Sequence, residues 1–255
     1  MTKSNRLATT LTAVSLIAIV AACSHPGSRP RSASMFAGKA DQGDIGLATR
    51  AQVALASNDL VNAVSLAERA VEKTPNDATL RTLLGNCYLA SGRFASAEAA
   101  YRDSLSLAAQ PQVILKLVLV QIAQGKNDEA KLLLAEAQGM IDPADAGLAL
   151  ALAGDPQSAV SMLEPAARAV GADARTRQYL ALAYAFAGDW EQARTVAAQD
   201  ISADLLDARI QQWMALAKPA RASDQVAALI GAQPVTDPGQ PIRLALNKDE
   251  AIRQA

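Results

Sequence analysis

The sequence predicts an all-α protein, a solenoid of about five helical hairpins closed by a C-terminal capping helix. Three observations predict it. A seven-residue phrase recurs as SNDLVNA (57–63), SGRFASA (91–97), QGKNDEA (124–130), AGDPQSA (153–159) and AGDWEQA (187–193). Its second residue, Gly or Asn, falls at 58, 92, 125, 154 and 188, in steps of 34, 33, 29 and 34, a period typical of stacked helical hairpins. The chain is also 51% hydrophobic but only 4% aromatic, and its Ala and Leu content favours helix over strand.

Taken from the N-terminus, residues 1–22 read as a signal segment outside the fold. Lys3 and Arg6 make a positive start, and Leu7 to Ala22 is apolar apart from Thr and Ser, too short for a membrane span. The run ends in Val20-Ala21-Ala22-Cys23, which resembles a bacterial lipoprotein lipobox. The resemblance implies lipidation of Cys23 and cleavage before it, which would take the formal charge from −1 to −3. Ser24 stands where an inner-membrane retention signal would carry Asp, so the implied location is the outer membrane, facing the periplasm. Lipidation leaves Cys87 without a disulfide partner, and its apolar surroundings (LLGNCYLA) predict a buried structural thiol.

Residues 23–43 are rich in Ser, Gly and Pro and read as a flexible tether with an r.m.s. span of roughly 25 Å. The chain's single histidine, His25, lies in it and is expected to be solvated.

The repeats are predicted to occupy 44–200, as units at about 44–77, 78–110, 111–139, 140–173 and 174–200. In each phrase the Gly or Asn suits the left-handed residue that ends a helix. The Ala five residues later (Ala63, Ala97, Ala130, Ala159, Ala193) falls one turn into the second helix, where the paired helices approach closely. Small residues seven before the turn (Ala51, Gly85, Gly147, Ala181) are expected to face that Ala, with Val118 the exception. Thr74-Pro75-Asn76-Asp77, Pro111, Asp142-Pro143 and Asp173-Ala174 supply helix starts. The 29-residue step predicts a shortened first helix, about Pro143–Ala153.

Residues 201–231 are expected to cap the array. ADLLDARIQQWMALAK (203–218) carries a stripe of Leu206, Ile210, Trp213, Met214 and Ala217, and a shorter helix is predicted near Ser223–Ile230. Residues 232–255 hold three prolines and read as an irregular tail.

The second unit, LLGNCYLASGRFASAEAAYRDSL, resembles a tetratricopeptide (TPR) repeat through Leu84-Gly85, Tyr88, Ala97 and Tyr101, with Ser104 replacing the usual Ala. The first unit matches at Ala51, Ala63, Ala70 and Pro75, the fifth at Tyr184, Gly188, Ala193 and Ala197; the third and fourth are degenerate. The resemblance implies a groove lined by the first helices that holds a protein segment. On this chain the groove residues would be Thr82, Asn86, Leu89, Leu115, Leu119, Ile122, Gln178, Leu182 and Phe186. Asn86 stands where carboxylate-clamp TPR domains use Asn, but the clamp's basic partners are missing, so an apolar helix or extended segment is the expected ligand.

Catalysis is not expected. The segment after Cys23 has no His beyond the tether, one Cys in an apolar pattern and no Gly-rich phosphate loop, so no catalytic residues, no metal and no cofactor other than the Cys23 lipid are predicted. The charge balance argues against nucleic acid, and no small-molecule substrate is expected. Finally, ADARTRQYLALAYAFAGDWEQARTVAAQDIS (172–202) resembles the last repeat of the TadD-type family of Tad (tight adherence, Flp-type) pilus assembly lipoproteins, with Arg177, Gln178, Leu180, Ala181, Leu182, Gly188, Ala193 and Asp200 matching. That resemblance implies a non-catalytic, membrane-anchored scaffold that assists assembly or localisation of a pilus secretin. The alternative is a general scaffold for outer-membrane protein insertion or cell-wall enzymes.

Overall fold

A computed structural model describes residues 42–218 and 221–247. The signal segment, Cys23 and nearly all of the tether lie outside the described residues. Among those described there are twelve α-helices, one 3-10 turn and no strand. Ten helices pair as hairpins: α1 (Gln42–Ala56) with α2 (Leu60–Lys73), α3 (Ala78–Ala90) with α4 (Phe94–Leu107), α5 (Pro111–Ala123) with α6 (Asn127–Glu136), α7 (Pro143–Leu152) with α8 (Pro156–Arg168), and α9 (Ala174–Phe186) with α10 (Trp190–Ala197). Second helices pack on the next unit's first helix, as α2 on α3, α4 on α5 and α8 on α9, which makes the fold a TPR-like solenoid.

The five turn residues all have positive φ, from 59° at Asn58 to 83° at Gly188. The Ala five positions on is fully buried in every unit. Its expected pairing with the upstream small residue needs correction, however. The atoms that crowd Gly85 most closely belong to the Tyr101 ring, and those at Gly147 belong to Leu163, so in both units the small residue makes room for a large side chain four residues beyond the Ala. A Cβ on Gly85 would lie 2.4 Å from Tyr101 Cε1.

Aspartates cap six of the ten helices of the array. Asp77 accepts from the amides of Thr79 and Leu80, and Asp59, Asp142, Asp155, Asp173 and Asp189 each cap their own helix. Units are also stitched side chain to side chain. Tyr88 donates its hydroxyl to Glu68 of the preceding unit, and Tyr184 does the same to Glu164.

Beyond the array, α11 (Ala203–Leu216) packs on α9 and α10 through Leu206, Ile210 and Trp213. Met214, expected in the same stripe, is exposed. The helix α12 (Ala222–Ile230) departs from the expected cap: it crosses to α5, in the middle of the array. The segment after it is irregular apart from the 3-10 turn at Ile242–Leu244, yet it is docked along its length on the first two units.

Candidate functional site

The face made by the first helices is most apolar at α5. Its sequence, PQVILKLVLVQIA, is apolar nearly all round, which suits a helix covered on more than one side. The cover is the chain's own α12. α12 packs on α5, and its Val226, Leu229 and Ile230 line one apolar seam together with Leu115 and Leu119 of α5 and Leu148, Ala149 and Leu152 of α7. Asp145 of α7 stands at its edge; burial raises its pKa, which the nearby Arg175 guanidinium partly offsets.

The expected groove residues divide accordingly. Leu119 lies in this seam, and Ile122, on the same helix, is wholly buried. Thr82 shares a 2.8 Å hydrogen bond with Ser104 of α4. Asn86 accepts from the Tyr101 hydroxyl at 3.0 Å and from Lys116 at 2.8 Å. These polar groups are thus engaged within the bundle, because Ser104, Tyr101 and Lys116 reach them from α4 and α5. Leu89 and Leu182 are buried, Phe186 is half-buried against the core, and Gln178 is half-buried near the Asp200 carboxylate.

After α12 the chain forms a strap. It passes the α3–α4 turn, where Val235 donates its N–H to the carbonyl of Gly92. The approach is so close that a Cβ on Gly92 would lie 1.8 Å from the Gln233 carbonyl oxygen. Next, Asp237 reaches the N-terminus of α4. Six of the other helices of the array have an Asp immediately before them whose side chain caps the helix, but α4 has Arg93, whose side chain makes no cap bond. Asp237 fills that role from across the fold, accepting from the Ser96 N–H and the Ser96 hydroxyl, each at 2.6 Å. The Arg93 guanidinium lies 3.4 Å away and also stacks on the Tyr88 ring. Burial pushes the Asp237 carboxyl up, but the Ser96 hydroxyl and N–H, the Gly239 N–H and Arg93 outweigh it and hold the pKa below the usual value.

The strap then runs between α2 and α4. Arg243 pairs with Glu68 at 2.8 Å and lies 3.6 Å from Glu72. The Leu246 N–H and the Gln240 amide donate to Asp103. Arg81 of α3 is completely buried beneath; it donates to Asp103, to the Pro75 carbonyl at 2.6 Å and to the Leu244 carbonyl at 3.0 Å.

Sequence reasoning missed the strap and its receptors Arg81, Arg93 and Ser96. One signal was available: Arg93 and Lys126 occupy the position after the turn residue that is Asp in the other three units. Lys126 finds its carboxylate nearby, 2.7 Å from the buried Glu98. Arg93 finds its own at Asp237.

Comparison with known proteins agrees with this architecture. Tetratricopeptide-repeat family models match residues 54–115 and 174–199. Among solved structures, the chain is similar to the MamA protein, with a TM-score of 0.51 and 17% identity over 67% of this chain and 95% of that one. It is also similar to YrrB, a TPR protein with an unusual peptide-binding site, with a TM-score of 0.50 and 18% identity over 68% of this chain and 95% of that one. At these identities the likeness is one of fold. No curated protein matches the chain in sequence.

Proposed function

We propose that this protein is a non-catalytic, lipid-anchored scaffold that holds a segment of another protein on the face of its first helices. Its task is to assist assembly or localisation of a Tad/Flp-type pilus, with the pilus secretin as partner, from the periplasmic side of the outer membrane. The observation that carries the reading is the seam of α5 and α7, which accepts an aliphatic helix of the chain itself and so fits helix-in-groove recognition. The likeness to YrrB, a TPR protein with a peptide-binding site, supports the same use of the fold. The lipobox ending in Cys23 supports the anchor, and the resemblance over 172–202 supports the pilus assignment.

In-cell crosslinking with tagged protein, followed by identification of the partner, tests the proposal. A secretin in the eluate, and loss of surface fibres on deletion with envelope integrity preserved, are the expected results. Recovery of outer-membrane insertion components or cell-wall enzymes in its place would overturn the pilus assignment. For the anchor, Cys23→Ser is expected to abolish labelling by a fatty-acid analogue.

A further inference from the structure

The segment from α12 through the strap is bound to the array much as a ligand is bound. α12 has nine residues and buries Val226, Ala227 and Leu229. Among the described residues, one backbone–backbone hydrogen bond joins the strap to the array, from Val235 to Gly92, and the strap buries one large apolar side chain, Leu244. Its other attachments are made by side chains, as hydrogen bonds and ion pairs: Asp237 to Ser96 and Arg93, Arg243 to Glu68 and Glu72, buried Arg81 to the Leu244 carbonyl, and the groups gathered on Asp103. Val235 and Ile242, between these attachments, stay about half exposed.

The surface underneath needs an occupant. Without α12, Leu115 and Leu119 of α5 would face water along with Leu148 and Leu152 of α7. Without Asp237, the Ser96 amide near the start of α4 would lose its cap, and Arg93 would lose the nearer of its two carboxylates. The hairpins also pack directly on one another, as α2 on α3, α4 on α5 and α8 on α9.

We propose that residues 222–247 are an exchangeable, self-supplied occupant of this surface, and that the protein partner which displaces them carries the same two features. The first is a short helix presenting aliphatic side chains at the spacing of Val226, Leu229 and Ile230. The second is a carboxylate about seven residues beyond that helix, as Asp237 follows Ile230, seated on the N-terminus of α4. The resident segment sets the selectivity. An intramolecular occupant acts at an effective concentration on the order of millimolar, so a weak or featureless segment cannot dislodge it. A partner bearing both features can. The inference rests on the partner-holding reading of the first-helix face and adds its regulation.

The test uses the full chain and a fluorescent synthetic peptide of residues 221–247 as probe. Val226→Asp combined with Asp237→Ala should release the resident segment, so that the peptide binds this variant at least tenfold more tightly than the wild type by fluorescence anisotropy. A peptide carrying the same two substitutions should lose at least tenfold in affinity. Hydrogen exchange on the wild type gives a second readout that needs no variant to fold. Amides of 222–247 should exchange at least tenfold faster than those in the middle of α3 and α4, at a concentration-independent rate. Strap protection equal to that of α3 and α4, or no peptide binding by a variant that keeps its helical circular dichroism, would overturn the proposal. Failure of the functional reading looks different: exchange is then seen, but crosslinking finds no envelope partner. A partner found while the segment proves inseparable sinks this inference alone.

Discussion

Arg81 and Leu244, 163 residues apart in the chain, are joined by a hydrogen bond from the guanidinium Nη1 to the carbonyl oxygen. The same guanidinium holds Asp103 and the Pro75 carbonyl, so one buried cation ties together the start of α3, the end of α4 and the strap. Arg81→Leu would leave a largely buried carboxylate and two carbonyls without that donor. Breaking such a pair costs about 2–4 kcal/mol, and the urea midpoint of the variant is expected to fall accordingly.

Two turn glycines separate the cost of backbone strain from the cost of close approach. Gly188 has φ +83° and nothing within 4 Å of an added Cβ, so Gly188→Ala should cost only the left-handed penalty, about 1–2 kcal/mol. Gly92 has φ +72° and the Gln233 carbonyl in the way. Gly92→Ala is therefore expected to free the strap as well. Limited proteolysis should then cut within 232–247 in Gly92→Ala, while Gly188→Ala stays intact there.

Acid should loosen the strap. An Asp whose pKa is depressed in the folded state contributes stability that is fully present above its unfolded value, about 3.9. That contribution is lost as the pH falls through the folded value. Glu68 shares Arg93, so the Asp237 share is isolated by comparison. Exchange protection of 232–247 should fall on acidification below about pH 4 in the wild type, and Asp237→Asn should show weaker protection at neutral pH with a flatter acid dependence.

Cys87 is fully buried, and burial pushes its thiol up to about 12. In a Cys23→Ser chain, where Cys87 is the remaining cysteine, a thiol-specific chromogenic reagent at pH 8 is expected to find no reactive group until urea unfolds the protein. Prompt reaction of the native chain would show that α3 opens far more readily than its packing implies.

The hairpins were readable because each rests on local rules. A left-handed residue at Gly188, a cap at Asp173 and a small residue at Ala193 each announce themselves within a few positions. The strap follows no such rule. Asp237 sits among Pro, Thr and Gly with no periodicity, and its partner Ser96 is 141 residues away. What the sequence does carry is the vacancy: Arg93 where three sister turns have Asp, and an α5 apolar on the side that the groove reading left open to a partner. The engagement of Thr82 and Asn86 by α4 and α5 was equally hidden, because it depends on which way Ser104, Tyr101 and Lys116 extend.

Gly92, finally, has a consequence for how the molecule comes apart. In an ordinary repeat array each unit couples only to its nearest neighbours, so unfolding can begin at either end and travel inward. Here the strap lies against the first two units, with Gly92 the point where the two backbones all but touch. The array is thereby closed into a loop of contacts, and its N-terminal hairpins can fray only once the strap has let go.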